Sequence, residues 1–313
     1  MFAQLDTKTV YSFMDSLIDL EGYVKEAKVL GYQTIGIMDK DNLYAAFHFI
    51  TKAKSEGLRP VLGLELTLNL QENLSLSVYL IARDTTGYKN LMKVSSCQMT
   101  SGIQLEDLKD YLSGLVVIIP YFDGLESLLL PFEYYIGVNV HSEEKDYDKP
   151  LIPLHTVRYF NTNEVETLHM LHAIRDNISL KDAPAAPQGQ QLMACDILTQ
   201  AFEQKFPQAL ENLEKLVADI HYDFNSELKL PRFNRQKPAQ EELIELTEAG
   251  LKAKNLWLPE YQERLRKELS VIHKMEFDDY FLIVWDLLRF GRSRGYYMGM
   301  GLSLIHISEP TRP

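Results

Sequence analysis

Residues 33–68 read QTIGIMDKDNLYAAFHFITKAKSEGLRPVLGLELTL. The apolar runs QTIGIM (33–38) and RPVLGLELTL (59–68) read as strands. The stretch between them carries a helix that Asp41 can cap and that stops at Gly57. The same alternation continues outward. SVYLIAR (77–83) is a strand, TTGYKNLMKVSS (85–96) a helix, and LVVIIP (115–120), YYIGVNV (134–140) and LIPLHTV (151–157) are further strands before the helix NEVETLHMLHAIRD (163–176). Strands alternating with helices predict an α/β fold with a mostly parallel sheet or a β/α barrel.

APAAPQGQQ (183–191) is a loop, and beyond it the pattern turns helical. CDILTQAFEQKF and PQALENLEKLVADI precede a short extended piece, ELKLPRF (227–233). QEELIELTEAGLKAKNL, EYQERLRKELSVIHKM and FDDYFLIVWDLLRFGRSRG follow. This change of class near residues 207–225 marks an expected domain boundary.

Composition narrows the function classes. The chain has 313 residues, with 32 basic and 44 acidic side chains and a formal charge of −12. A surface of that sign repels phosphate, so contact with nucleic acid must be local or come from elsewhere. The longest apolar runs are far too short to cross a bilayer. MFAQLDTKTV lacks a basic start followed by an apolar core, so no secretion signal is visible. The two cysteines, Cys97 and Cys195, have no metal or redox spacing and suit a reduced, cytoplasmic setting.

In a β/α barrel, chemistry gathers at the C-terminal ends of the strands. The residues expected there are Asp6, Lys8, Asp39, Lys40, Glu65, Ser77, Thr156 and Arg158. A hydrolytic metal centre needs histidines and carboxylates that converge. These positions offer carboxylates but almost no imidazole, and Lys8 and Lys40 put positive charge where a metal would sit. His169 and His172 share a helical face without a nearby Cys or Asp to complete a site. No GxSxG is present and no nucleophile is assigned, so no catalytic residue and no metal ligand is expected. In LLRFGRSRGYYMGMG, Arg289, Arg292 and Arg294 precede a glycine-rich turn containing Gly295, Gly299 and Gly301. Arginines beside pliable backbone suit a triphosphate. Cations at a helix C-terminus and glycine just beyond it also suit a plain helix end, and spacing alone leaves both readings open.

Five stretches in order, FAQLDTKTVYSFMDSLI, IGIMDKDNLYAAFHF, GLRPVLGLELTL, YLIARDTTGYKNLMKVSS and PLIPLHTVRYF, resemble the PHP (polymerase and histidinol phosphatase) domain that opens the bacterial replicative DNA polymerase III alpha family. FDDYFLIVWDLLRFGRSRGYYMGMG resembles the segment of that family leading into its palm, YFLIVWDL (280–287) being the most specific piece. The resemblance covers residues 2–301. It implies a PHP-type distorted β/α barrel over residues 1–222 and the start of a polymerase palm over 223–301. The implied activity is DNA-directed DNA synthesis, with primer-template DNA, deoxynucleoside triphosphates and the sliding clamp as partners of the parent protein. Its two Mg²⁺ ions would be held by palm aspartates with no counterpart here, so this chain is not expected to polymerise or to bind a metal. Gly299 and Gly301 match the family's phosphate-cradling turn, with Arg292 and Arg294 beside it.

The departures from the family pattern are as telling. Asp6 and Lys8 stand in place of a His-x-His pair, Lys40 and Ser77 in place of histidines, and Thr156 and Arg158 in place of an Asp-x-His pair. Asp15, Asp39 and Glu65 remain, too few for a two- or three-metal centre. The expectation is a structural barrel without phosphoesterase activity; the alternatives are a stand-alone PHP phosphoesterase or a non-catalytic replisome scaffold. LSLIHISEPTRP (302–313) resembles a translated sequencing-library adapter and is expected to be a foreign tail.

Overall fold

A computed structural model describes residues 1–71, 74–221, 230–234 and 236–296. The chain divides into two compact units, Met1–Phe224 and Asn225–Pro313.

The first unit is built on a six-stranded sheet. Its strands are β1 (Thr34–Lys40), β2 (Arg59–Gln71), β3 (Leu74–Ala82), β4 (Leu115–Pro120), β5 (Tyr135–Val138) and β6 (Leu151–Pro153), in that spatial order. β1–β2, β4–β5 and β5–β6 pair in parallel, while β2–β3 and β3–β4 are antiparallel. The sheet is therefore mixed and curled, rather than mostly parallel as the sequence predicts. Helices α1 (Leu20–Val29), α2 (Ala46–Ser55), α3 (Thr85–Ser101), α4 (Leu105–Leu108), α5 (Val165–Arg175), α6 (Cys195–Lys205) and α7 (Pro207–Ala218) complete the unit. α2 lies on β2, α3 on β3 and α7 on β6; a large apolar core fills the space, and Tyr159, Leu168 and Ala186 form a second, smaller cluster.

The ring is closed by the N-terminal arm, residues 2–9. Gln4 bridges Ile35 of β1, and Thr7 bridges Val157 just beyond β6. The Gly36 and Met38 amides donate to the Gln4 and Thr7 carbonyls, at 2.5 and 2.8 Å. On the other side the Lys8 amide donates to Val157 O and the Val157 amide to Asp6 O, both at 2.9 Å. Phe2 anchors the arm's start, stacking on Phe202 of α6 at 5.4 Å.

Gly36 is where this closure leaves no room. A Cβ there would sit 2.9 Å from Leu5 O and 3.1 Å from both Gln4 O and Leu5 Cα. All three are backbone atoms that move only if the arm moves. Gly36→Ala is expected to cost about 1–3 kcal/mol and to raise hydrogen exchange at the Gln4 and Lys8 amides.

Some expectations are corrected. α2 begins at Ala46 without a side-chain cap, and Asp41 sits in a left-handed turn at φ 60° rather than capping it. β6 stops at Pro153, and the rest of LIPLHTV turns to reach the arm. α1 was not foreseen, although the Asp19 carboxylate caps it by accepting from the Gly22 amide at 2.7 Å.

The second unit contains α8 (Ala239–Ala253), α9 (Pro259–Lys274) and α10 (Asp278–Ser293), with α8 packed against both others. Leu243 and Leu282 are its buried apolar residues among those described, whereas Val271, Met275, Phe281, Trp285, Leu287 and Phe290 are exposed. Ile283 is half-buried. Among the described residues no helix is long and apolar enough to cross a membrane.

Candidate functional site

Extended backbone turns alternate side chains to opposite faces. Along the arm this sends Thr7 outward, where its hydroxyl donates to Tyr23 Oη of α1 at 2.9 Å, while Tyr23 donates to Gly36 O. Asp6 and Lys8 turn into the barrel and are wholly buried.

Lys8 Nζ lies 2.8 Å from Asp6 Oδ1 and 2.5 Å from Glu65 Oε2, and donates to Met38 O at 2.8 Å. It also sits 4.5 Å from the centroid of the Tyr79 ring. Arm, β2, β1 and β3 each contribute one contact, and Glu65 and Tyr79 face each other in the β2–β3 register. The Thr156 hydroxyl holds the other Asp6 oxygen at 2.5 Å. Burial alone would lower the Lys8 ammonium, but Asp6 foremost, with Glu65, lifts it above the ordinary lysine range. Burial would raise Asp6, and Lys8 foremost instead holds it below the ordinary carboxyl value. The cage is thus centred on the Lys8 ammonium, held between the Asp6 and Glu65 side chains.

A second cluster is built on Asp39. Its Oδ1 accepts from the Thr9 amide and the Ser12 hydroxyl, both at 2.7 Å, and its Oδ2 from the Thr9 hydroxyl at 2.8 Å. Burial is the largest influence and raises this carboxyl. A third cluster gathers on Asp15, with Arg158 Nε, His172 Nε2 and Arg175 Nη1 each 3.1 Å from its oxygens. Arg158 also donates to Gln190 Oε1 at 2.6 Å.

The residues expected from sequence are thus sorted by the fold. Asp6, Lys8, Glu65 and Thr156 meet in one cage, while Asp39 and Arg158 each stand in a neighbouring cluster. Lys40 does not enter: the strand turns its side chain out to solvent, so a single lysine supplies the central charge. Ser77 pairs with Thr67, two residues along from the cage, and is half-buried. His172 does have an acidic neighbour in Asp15, which sequence spacing could not reveal; its helical companion His169 instead meets the Ala183 carbonyl at 3.2 Å. Tyr79, Arg175 and His155 were missed. The alternation Ser77–Tyr79 on β3 was the signal available for Tyr79.

The metal centre that the family resemblance raises does not fit this donor set. The cage holds two carboxylates and a carbonyl, offers no imidazole, and has an ammonium at its middle. Among the described residues no group of three His, Cys, Asp or Glu could hold a metal ion.

His155 adds a pH dependence. It is buried, and its Nε2 lies 2.8 Å from Gln191 O, so the neutral ring donates there. Burial foremost pulls its pKa below 6.5. A base depressed in the folded state contributes stability above its unfolded pKa and loses it as pH falls. Below pH ~6.5 the unfolded chain therefore takes up a proton that the folded chain refuses, costing about 1.4 kcal/mol per pH unit. The urea midpoint should fall between pH 7 and 5.5, and less so in His155→Gln.

In the second unit, Arg292 lies in the last turn of α10 and Arg294 caps it, its guanidinium 5.1 Å from the Phe290 ring centroid. Gly299 and Gly301 lie outside the described residues, as does the 302–313 tail. Arg289 pairs with Asp286 at 2.6 Å.

Residues 4–149 match the family model of the PHP domain, and residues 241–302 match that of the bacterial DNA polymerase III alpha NTPase domain. The chain is 57% identical over 303 residues, 96% of its length, to DNA polymerase III subunit alpha of Streptococcus pyogenes serotype M3 (strain MGAS315), covering 29% of that protein. It is 26% identical to the polymerase III alpha subunits of Halalkalibacterium halodurans and Aquifex aeolicus, over 93% and 96% of its own length and 30% and 32% of theirs. It therefore spans about three tenths of the length of these relatives.

Proposed function

We propose that this chain, which carries a PHP domain followed by the opening of the polymerase III alpha NTPase domain, is the leading part of a replicative DNA polymerase whose barrel is a scaffold. The parent protein adds deoxynucleotides to a primer 3′ end on a DNA template, working within the replisome. Magnesium ions held by carboxylates of the longer protein would activate the attacking hydroxyl and neutralise the departing phosphates. In this reading residues 1–222 form the barrel domain, 223–301 begin the palm, and 302–313 are a foreign tail. In this reading Arg292 and Arg294 would meet the triphosphate, and the family resemblance gives Gly299 and Gly301 the same role.

The observation that carries the scaffold reading is Lys8. Its buried ammonium, paired with Asp6 and Glu65, occupies the point where a hydrolytic metal would have to stand. Asp39 is likewise committed, by two hydrogen bonds from Thr9 of the arm and one from Ser12.

Primer extension tests the reading. The 313-residue chain should extend no primer, while a longer protein sharing these residues and continuing through the palm should do so with Mg²⁺. The same chain should hydrolyse no phosphodiester with Mn²⁺ or Zn²⁺ and should carry neither metal after dialysis. Hydrolysis with a stoichiometric metal would restore the stand-alone phosphoesterase reading.

A further inference from the structure

We propose that the oxygen cage around Lys8 Nζ is a binding pocket for a primary ammonium ion, which the chain fills with its own side chain. Once the lysine stem is removed, the pocket takes a free alkylammonium from solution. The inference rests on the cage geometry and stands independently of the polymerase reading.

An ammonium has three N–H donors beyond its carbon. Here three oxygens from three separate segments meet it: Asp6 Oδ1 of the arm at 2.8 Å, Glu65 Oε2 of β2 at 2.5 Å and Met38 O of β1 at 2.8 Å. The face of Tyr79 covers the group at 4.5 Å, a contact that favours an organic cation over a hard metal ion. A bare divalent ion would find only three protein oxygens, whereas Ca²⁺ takes six to eight and Mg²⁺ six. The cage is held from outside: Thr156 fixes the second Asp6 oxygen, and the Gln4 side-chain Nε2 donates to the Asp6 backbone carbonyl at 3.1 Å. It therefore has partners that persist when the lysine is gone. The Asp6 carboxylate, shut off from solvent, needs a cation beside it to remain charged.

Lys8→Ala removes four heavy atoms, Cγ, Cδ, Cε and Nζ, which together make propylammonium. The chain carrying Lys8→Ala should be refolded from urea in propylammonium chloride or in equal tetramethylammonium chloride, and its thermal midpoint measured. Propylammonium should raise the midpoint in a saturable manner, by about 3–6 °C at ten times its dissociation constant. Tetramethylammonium has no N–H to donate and should not, and the unsubstituted chain should respond alike to both salts. Equal shifts from the two salts, or the same propylammonium shift in the unsubstituted chain, overturn the proposal. So does a larger stabilisation by Mg²⁺, Ca²⁺ or Zn²⁺ at lower concentration.

If Lys8→Ala does not fold unaided, recovery of near-ultraviolet circular dichroism with propylammonium gives the same reading. A parallel pair, Lys8→Met and Lys8→Met/Glu65→Gln, tests the charge requirement in a filled pocket. The double variant should melt higher than the single one. No recovery with propylammonium together with no gain in the double variant overturns the proposal.

Discussion

Lys8→Met is expected to destabilise the barrel unit by about 3–5 kcal/mol, the cost of leaving a buried ion pair without one partner. Methionine nearly matches the stem, so packing changes little and the loss reads the charge. Asp6 and Glu65 then face each other without a cation, and the Met38 carbonyl loses its donor. In a unit of this size the melting midpoint should drop by roughly 6–20 °C.

The pH dependence separates charge from packing. Lys8 is held above its ordinary value, so its contribution is fully present below pH ~10.5 and changes little between pH 5 and 9. Asp6 is held below its ordinary value in the parent chain, so its contribution is present above pH ~3.8 and fades only as pH falls past that. In the variant, Asp6 loses its cation, and burial pushes its carboxyl up until it takes a proton. The stability gap between parent and variant should therefore narrow from pH 8 towards pH 4.5. Urea titrations at four pH values measure this. A gap constant across that range would mean that Lys8 acts through its hydrocarbon stem alone.

Asp39→Ala is the second large effect. It strands the Thr9 amide and the hydroxyls of Thr9 and Ser12, all three belonging to buried residues. Each abandoned buried donor costs about 1–3 kcal/mol, so a loss of about 3 kcal/mol or more is expected. Asp39→Asn keeps an acceptor for the amide and should cost about 1 kcal/mol. Amide exchange localises the change: Thr9 and Lys40 should lose protection first, because the Lys40 amide rests on the same Ser12 hydroxyl at 3.1 Å. If Ala and Asn cost the same, the three hydrogen bonds are not what fastens the arm.

Much of the barrel was readable because β1, β2 and β4 are apolar runs with turn residues at their ends. The arm escaped notice for a physical reason. In QLDTKT the inward positions, Gln4, Asp6 and Lys8, are polar, so the alternation that marks a strand runs opposite to expectation. α1 was hidden because half of LEGYVKEAKV is charged or glycine, leaving Leu20, Tyr23, Val24 and Ala27 to bury. The cage was half legible. Asp6, Lys8 and Glu65 stood out as charges at strand ends, but sequence could not say which lysine turns inward. Lys40 follows Asp39, and the strand's two-residue period sends it to solvent. The union of Asp15, Arg158, His172 and Arg175 was beyond reach, because it joins a loop, the segment after β6 and α5 across some 160 positions.

The closing of the ring also sets a timetable for synthesis. The arm is translated well before its second partner, Val157, which follows roughly 150 residues later. At about 5–20 residues per second, that is a wait on the order of 10–30 s. Throughout it a segment bearing Asp6 and Lys8 must stay hydrated and unpaired on one edge. Its charge keeps the nascent chain from sticking to its neighbours, and the same charge becomes the keystone when the last staves arrive.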